Sequence, residues 1–122
     1  MSSAARSVYV FGIYLIVLGG ILIGSPNTLL TLFGIPTTTE PWIRVVGMLV
    51  MVVGMLDIAS ARGEQTKFMQ ASVYARFFVL LMFVVFAATG IAPAILILFG
   101  VVDAAGAIWT HTALKSLKPA VA

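Results

Sequence analysis

Arg76 stands at the head of an uninterrupted apolar run, residues 77–86. The surrounding segment, residues 68–89, is fit only for lipid, and a rise of ~1.5 Å per residue puts Arg76 about 12 Å inside it. A charge at that depth is costly, so the protein must supply its partners. The chain is thereby constrained to a set of helices closed around a polar cluster. Two acids in other apolar segments, Asp57 and Asp103, are the natural counter-charges. The same helical rise places Asp57 about 6 Å and Asp103 about 16 Å deep, so Arg76 lies between them. Its forked guanidinium can bridge two carboxylates.

The composition agrees with burial in lipid. Only 9% of the 122 residues are charged and 61% are apolar, and the mean hydropathy is +1.15. A soluble domain carries roughly 25% charged residues. The formal charge of +3 suits an anionic leaflet better than nucleic acid, which is not expected as a partner. Without cysteine, disulfides and thiolate metal sites are excluded. With one histidine and no metal-ligand spacing, neither a metal nor another cofactor is expected.

Four spans follow from hydropathy, at about residues 8–24, 41–61, 68–89 and 92–114, and they form a single transmembrane domain. The fold class expected is all-α: a membrane four-helix bundle with a short interfacial helix at residues 28–33. The first span is read as uncleaved, because Gly24-Ser25-Pro26 is a poor signal-peptide cleavage site. Gly20 and Gly24 fit the small-xxx-small pattern of close helix contact. Gly47 and Gly54 share a face of the second span, and Asp57 lies one turn beyond. Arg6, Arg62, Lys67, Lys115 and Lys118 flank the spans on one side, which puts both termini in the cytoplasm.

Other polar residues are weighed against plain structural roles. Glu40 and Arg44 are four residues apart at the outer end of span two. Either they form a surface pair, or Arg44 turns inward to hold the outer loop or an anionic ligand. His111 is a candidate titrating group near the cytoplasmic boundary. The cluster of Arg76, Asp103 and Asp57 is either a register-fixing set of charges or a site for a ligand or proton. No nucleophile elbow, phosphate loop or metalloprotease motif occurs, so no catalytic residue is assigned.

Pro26-Asn27-x-Leu29-Leu30, then Leu32-Phe33-Gly34 and Arg44-x-x-Gly47 with Gly54 and Asp103, resemble small bacterial four-span proteins of a broadly DoxX-like kind. The resemblance implies a four-helix bundle in the bacterial cytoplasmic membrane and little about activity. Where such relatives are tied to redox systems, a thiol role lacks its cysteine here.

The expected function is non-enzymatic: binding of a membrane lipid or lipid-like ligand, or of a partner membrane protein. The rival is a homo-oligomeric, proton-linked transporter or channel built on Asp57, Arg76 and Asp103.

Overall fold

The computed structural model describes the backbone of residues 1–121 and the side chains of residues 1–117. Among the described residues helices are the only regular elements: α1 (Ser3–Gly24), α2 (Pro26–Leu32), α3 (Trp42–Arg62), α4 (Thr66–Ala88) and α5 (Leu96–Val121). Four of them, α1, α3, α4 and the Leu96–Leu117 part of α5, are long and apolar enough to cross a membrane. Twenty-two residues span about 33 Å, against a hydrocarbon core of ~30 Å.

Large apolar side chains are exposed along every long helix, while Ser7, Asp57, Ser60, Arg76 and Thr110 are buried among alanines and apolar residues such as Val8, Phe11, Leu15, Met69 and Val73. Water would penalise such a surface heavily, whereas lipid does not. This is the surface of a membrane protein.

Three helices end in the same way. At α2, Ile35 N–H donates to Leu30 O (2.8 Å) and Gly34 N–H to Thr31 O (3.1 Å), with Gly34 left-handed at φ +70°. At α4, Ile91 N–H reaches Phe86 O (2.9 Å) and Gly90 N–H reaches Ala87 O (3.2 Å), with Gly90 at φ +77°. Both are Schellman motifs, which use glycine because a Cβ is disfavoured there. At α3 the same pair of bonds runs from Gln65 to Ser60 and from Glu64 to Ala61. Here the left-handed residue is Glu64, at φ +50°, although Gly63 stands beside it. After Gly90 the chain turns through three-residue bonds, Leu96 N–H to Pro93 O among them, so α5 starts at Leu96 rather than near residue 92.

The chain divides into two compact units, Met1–Val8 with Ser60–Ala122, and Tyr9–Ala59. In the Tyr9–Ala59 unit, α1 and α3 run antiparallel with their backbones nearly touching. Gly12 lies opposite Gly54, and Gly19 opposite Gly47. A Cβ built on Gly19 would fall 2.5 Å from the Gly47 carbonyl oxygen, and one on Gly54 would fall 2.7 Å from the Gly12 oxygen. Seven-residue spacing on both helices keeps the two contacts on one seam. The Gly20/Gly24 pattern is not used in this packing: Gly20 meets only the tip of Met51, and nothing lies within 4 Å of a Cβ on Gly24. Pro26 opens α2, where a missing N–H costs nothing. Thr38 N–H donates to Asn27 Oδ1 at 2.9 Å, fastening the following loop to the start of α2.

In the other unit, α4 and α5 form an antiparallel hairpin, with Gly100 against the Leu80 backbone. Ser2 caps α1: its hydroxyl accepts from Ala5 N–H (3.1 Å). A capping box would place a Glu at position five to receive the Ser2 N–H. Ala5 occupies that position, and Glu64 takes over the task from a distance in sequence. Its carboxylate accepts from Ser2 N–H (2.9 Å) and from Ser2 Oγ–H (2.6 Å). This cap starts α1 at Ser3, five residues ahead of the span expected from hydropathy.

Two expectations follow. Gly19→Ala will overpack the seam and cost about 1–3 kcal/mol. Gly20→Ala, with room for its methyl, will be neutral or gain up to about 1 kcal/mol. Unfolding of the two purified variants in mixed micelles checks this, and equal behaviour would contradict the seam.

The second concerns pH. The bonds from Ser2, its hydroxyl first and its N–H second, hold the Glu64 carboxyl below the usual glutamate range. A depressed folded-state pKa means that the tie is fully present above the unfolded pKa, ~4.3, and is lost as pH falls through the folded one. In NMR titration the Ser2 amide proton should therefore shift with a midpoint below ~4.3, and Glu64→Gln should abolish that step. A midpoint above the reference value would refute the tie.

Candidate functional site

Arg76 is 5% exposed, and its side chain folds back along α4 and across to α5. Nε donates to Ser72 O at 3.2 Å, one turn earlier, and Nη2 donates to Ser72 Oγ at 3.1 Å. Nη2 also donates to Thr110 Oγ1 on α5 at 2.9 Å. Thr110 is fully buried, and its hydroxyl sits 2.7 Å from Ser7 Oγ on α1. Three helices thus meet at one hydroxyl.

The protons in this network must be shared out. Thr110 Oγ1 accepts from Arg76 and has one proton to give, either to Gly106 O (3.1 Å) or to Ser7. Ser7 has one proton for Ala4 O (2.7 Å) or for Thr110. If Ser7 donates to Ala4, Thr110 turns to Ser7. If Ser7 donates to Thr110, Thr110 turns to Gly106. Both arrangements leave the two hydroxyls bonded. Close packing supports the junction, because Ala4, Ala5 and Ala107 around it are wholly buried and small.

Asp103 lies seven residues before Thr110, on the same side of α5. It is half-buried. Within this unit Arg76 donates to Ser72 and to Thr110, both hydroxyl-bearing residues. Asp57, 4% exposed, belongs to the Tyr9–Ala59 unit, where it packs against Gly12.

Arg44 reaches from the first turn of α3 to the last turn of α1, donating through Nη1 to Ile23 O. A cation at a helix C-terminus satisfies a free carbonyl and meets the negative end of the dipole. Glu40 is exposed and precedes α3, its N–H bonded to Thr38 Oγ1 (3.0 Å), so the two do not share a helical face.

His111 is exposed and borders an open groove of about 280 Å³ between α4 and α5. Val73 and Leu114 form the buried floor, and Gln70, Tyr74, His111 and Lys115 form the rim. Pockets that enclose a small molecule measure roughly 300–1,000 Å³, so this one is suited to holding part of a larger ligand.

The sequence reading missed Ser7, Ser72 and Thr110. A usable signal was present in Ser72 one turn before Arg76, since an arginine inside an apolar helix needs acceptors nearby. It also missed the groove as a whole, which exists only once α4 and α5 are paired. No family model, curated protein or solved structure matches the chain. Fold and site together define a class: an all-helical membrane protein with a buried arginine–hydroxyl junction.

Thr110→Val keeps the shape but removes the hydroxyl that Arg76 and Ser7 share. Loss of a charge-assisted bond should cost about 1.5–3 kcal/mol, and Ser7→Ala about 0.5–1.5 kcal/mol. Unfolding of the double variant should show coupling, with a loss smaller than the sum. Strict additivity would mean that the hydroxyls do not act together.

Proposed function

We propose that this is a non-enzymatic protein of the bacterial cytoplasmic membrane, DoxX-like in kind, which binds a membrane lipid. The supporting observation is the α4–α5 groove: a polar rim over an apolar floor, open to the surface. Such a recess matches the junction between the headgroup and chains of a lipid. The internal bonds of Arg76 favour a structural role for that charge. Both termini lie in the cytoplasm in this proposal, because the cationic flanks Arg6, Arg62, Lys67, Lys115 and Lys118 fall on one side.

Native mass spectrometry from mild detergent tests the proposal, with retained lipid as the expected result. A chain that always emerges free of lipid would refute it. A probe cysteine at Gln65, on this cysteine-free background, should label only from the cytoplasmic side.

A second proposal is proton-linked transport by a homo-oligomer through Asp57, Arg76 and Asp103. It rests on the half-buried carboxyl of Asp103 inside a membrane-spanning helix, where a titratable group is a candidate proton carrier. Proton flux in proteoliposomes that Asp103→Asn abolishes, with stability unchanged, would favour it over lipid binding.

A further inference from the structure

The groove has a chemical direction. Gln70 and Tyr74 are one turn apart on α4, and His111 and Lys115 are one turn apart on α5, so each helix lines the groove with one edge. Lys67 precedes Gln70 by three residues and falls on the same edge of α4. No acid occurs anywhere in α4, and Asp103, the one acid of α5, is two turns from His111. Glu64, in the turn before α4, is engaged by Ser2. The rim is therefore positive, with hydrogen-bond donors and without a competing carboxylate.

The other end of the same edge is apolar. Tyr74, Phe78, Leu81 and Val85 follow one another at helical spacing and are all exposed, Tyr74 at 76% and Phe78 at 60%. A cationic recess thus opens onto an aromatic and aliphatic track directed along the helix. A soluble anion has no use for the track, and a lipid without net negative charge gains less from the cation.

Resting on the lipid-binding proposal above, we propose that this groove seats the phosphate headgroup of an anionic phospholipid. Lys115 and His111 contact the phosphate, and Tyr74 O–H and the Gln70 amide donate hydrogen bonds to the headgroup. The acyl chains lie along Phe78, Leu81 and Val85. With the orientation given above, the headgroup belongs to the cytoplasmic leaflet, whose lipids are the anionic ones.

The test uses the full chain in mild detergent with equimolar dioleoyl phosphatidylglycerol and dioleoyl phosphatidylcholine, read by native mass spectrometry. Phosphatidylglycerol should be retained in preference. Lys115→Gln should weaken its retention roughly fivefold, as expected for one cation near an anionic headgroup. Lys115→Gln with His111→Gln should erase the preference, while Lys115→Arg should keep it. Both side chains are exposed, so melting in detergent should be unchanged. If the double variant fails to fold, Lys115→Gln alone decides.

Lipid retained without preference, or with a preference that these variants do not alter, overturns this site and leaves the lipid-binding proposal standing. No retained lipid of either kind overturns both. Displacement of phosphatidylglycerol by millimolar inorganic phosphate also overturns the proposal, because the groove would then take a free anion.

Discussion

Helices in hydrocarbon gain nothing by hiding leucine from lipid, so what holds them together must come from close packing and polar contacts. Each unit of this chain meets that constraint in its own way. In the Tyr9–Ala59 unit, glycine removes the side chain altogether, and α1 and α3 approach until a Cβ on Gly19 would fall 2.5 Å from a carbonyl oxygen of the facing helix. In the unit built on α4 and α5, Thr110 Oγ1 joins Arg76 to Ser7, and three helices share one buried hydroxyl.

The two solutions differ in what they tolerate. A backbone seam fails when any atom is added, because carbonyls cannot move aside as a flexible side chain can. A hydrogen-bonded junction fails when an acceptor is removed, because the donor that remains has no water to turn to. Glu64 shows a third device. Its left-handed backbone is uncommon for a residue with a Cβ, yet it ends α3 and its carboxylate completes the cap of α1. Gly63 next to it could adopt that conformation freely but carries no carboxylate.

Much of the architecture was legible in advance. Four apolar runs, each long enough to cross a bilayer, mean four long helices, since no other open element satisfies its own backbone in lipid. The depth of Arg76 in its span was readable from helical rise, and so was the need for partners. Two hydroxyls, Ser72 Oγ and Thr110 Oγ1, and the Ser72 carbonyl receive bonds from its guanidinium, and charge alone does not point to them. A hydroxyl can occupy a crowded interior at little desolvation cost, while a carboxylate must first lose its hydration.

By itself, the sequence determined the element types and their number, because hydropathy and backbone preference act locally. Only the tertiary structure decided which small residues meet. Gly20 and Gly24 have the conventional spacing, but Gly12 and Gly19 form the seam, since helix rotation is set by the partner and not by the motif. Only the tertiary structure brought Ser7 beside Thr110 across 103 positions, and only pairing α4 with α5 made a groove from Tyr74 and His111. Contacts between segments distant in sequence depend on helix register, and register emerges when whole surfaces are fitted together.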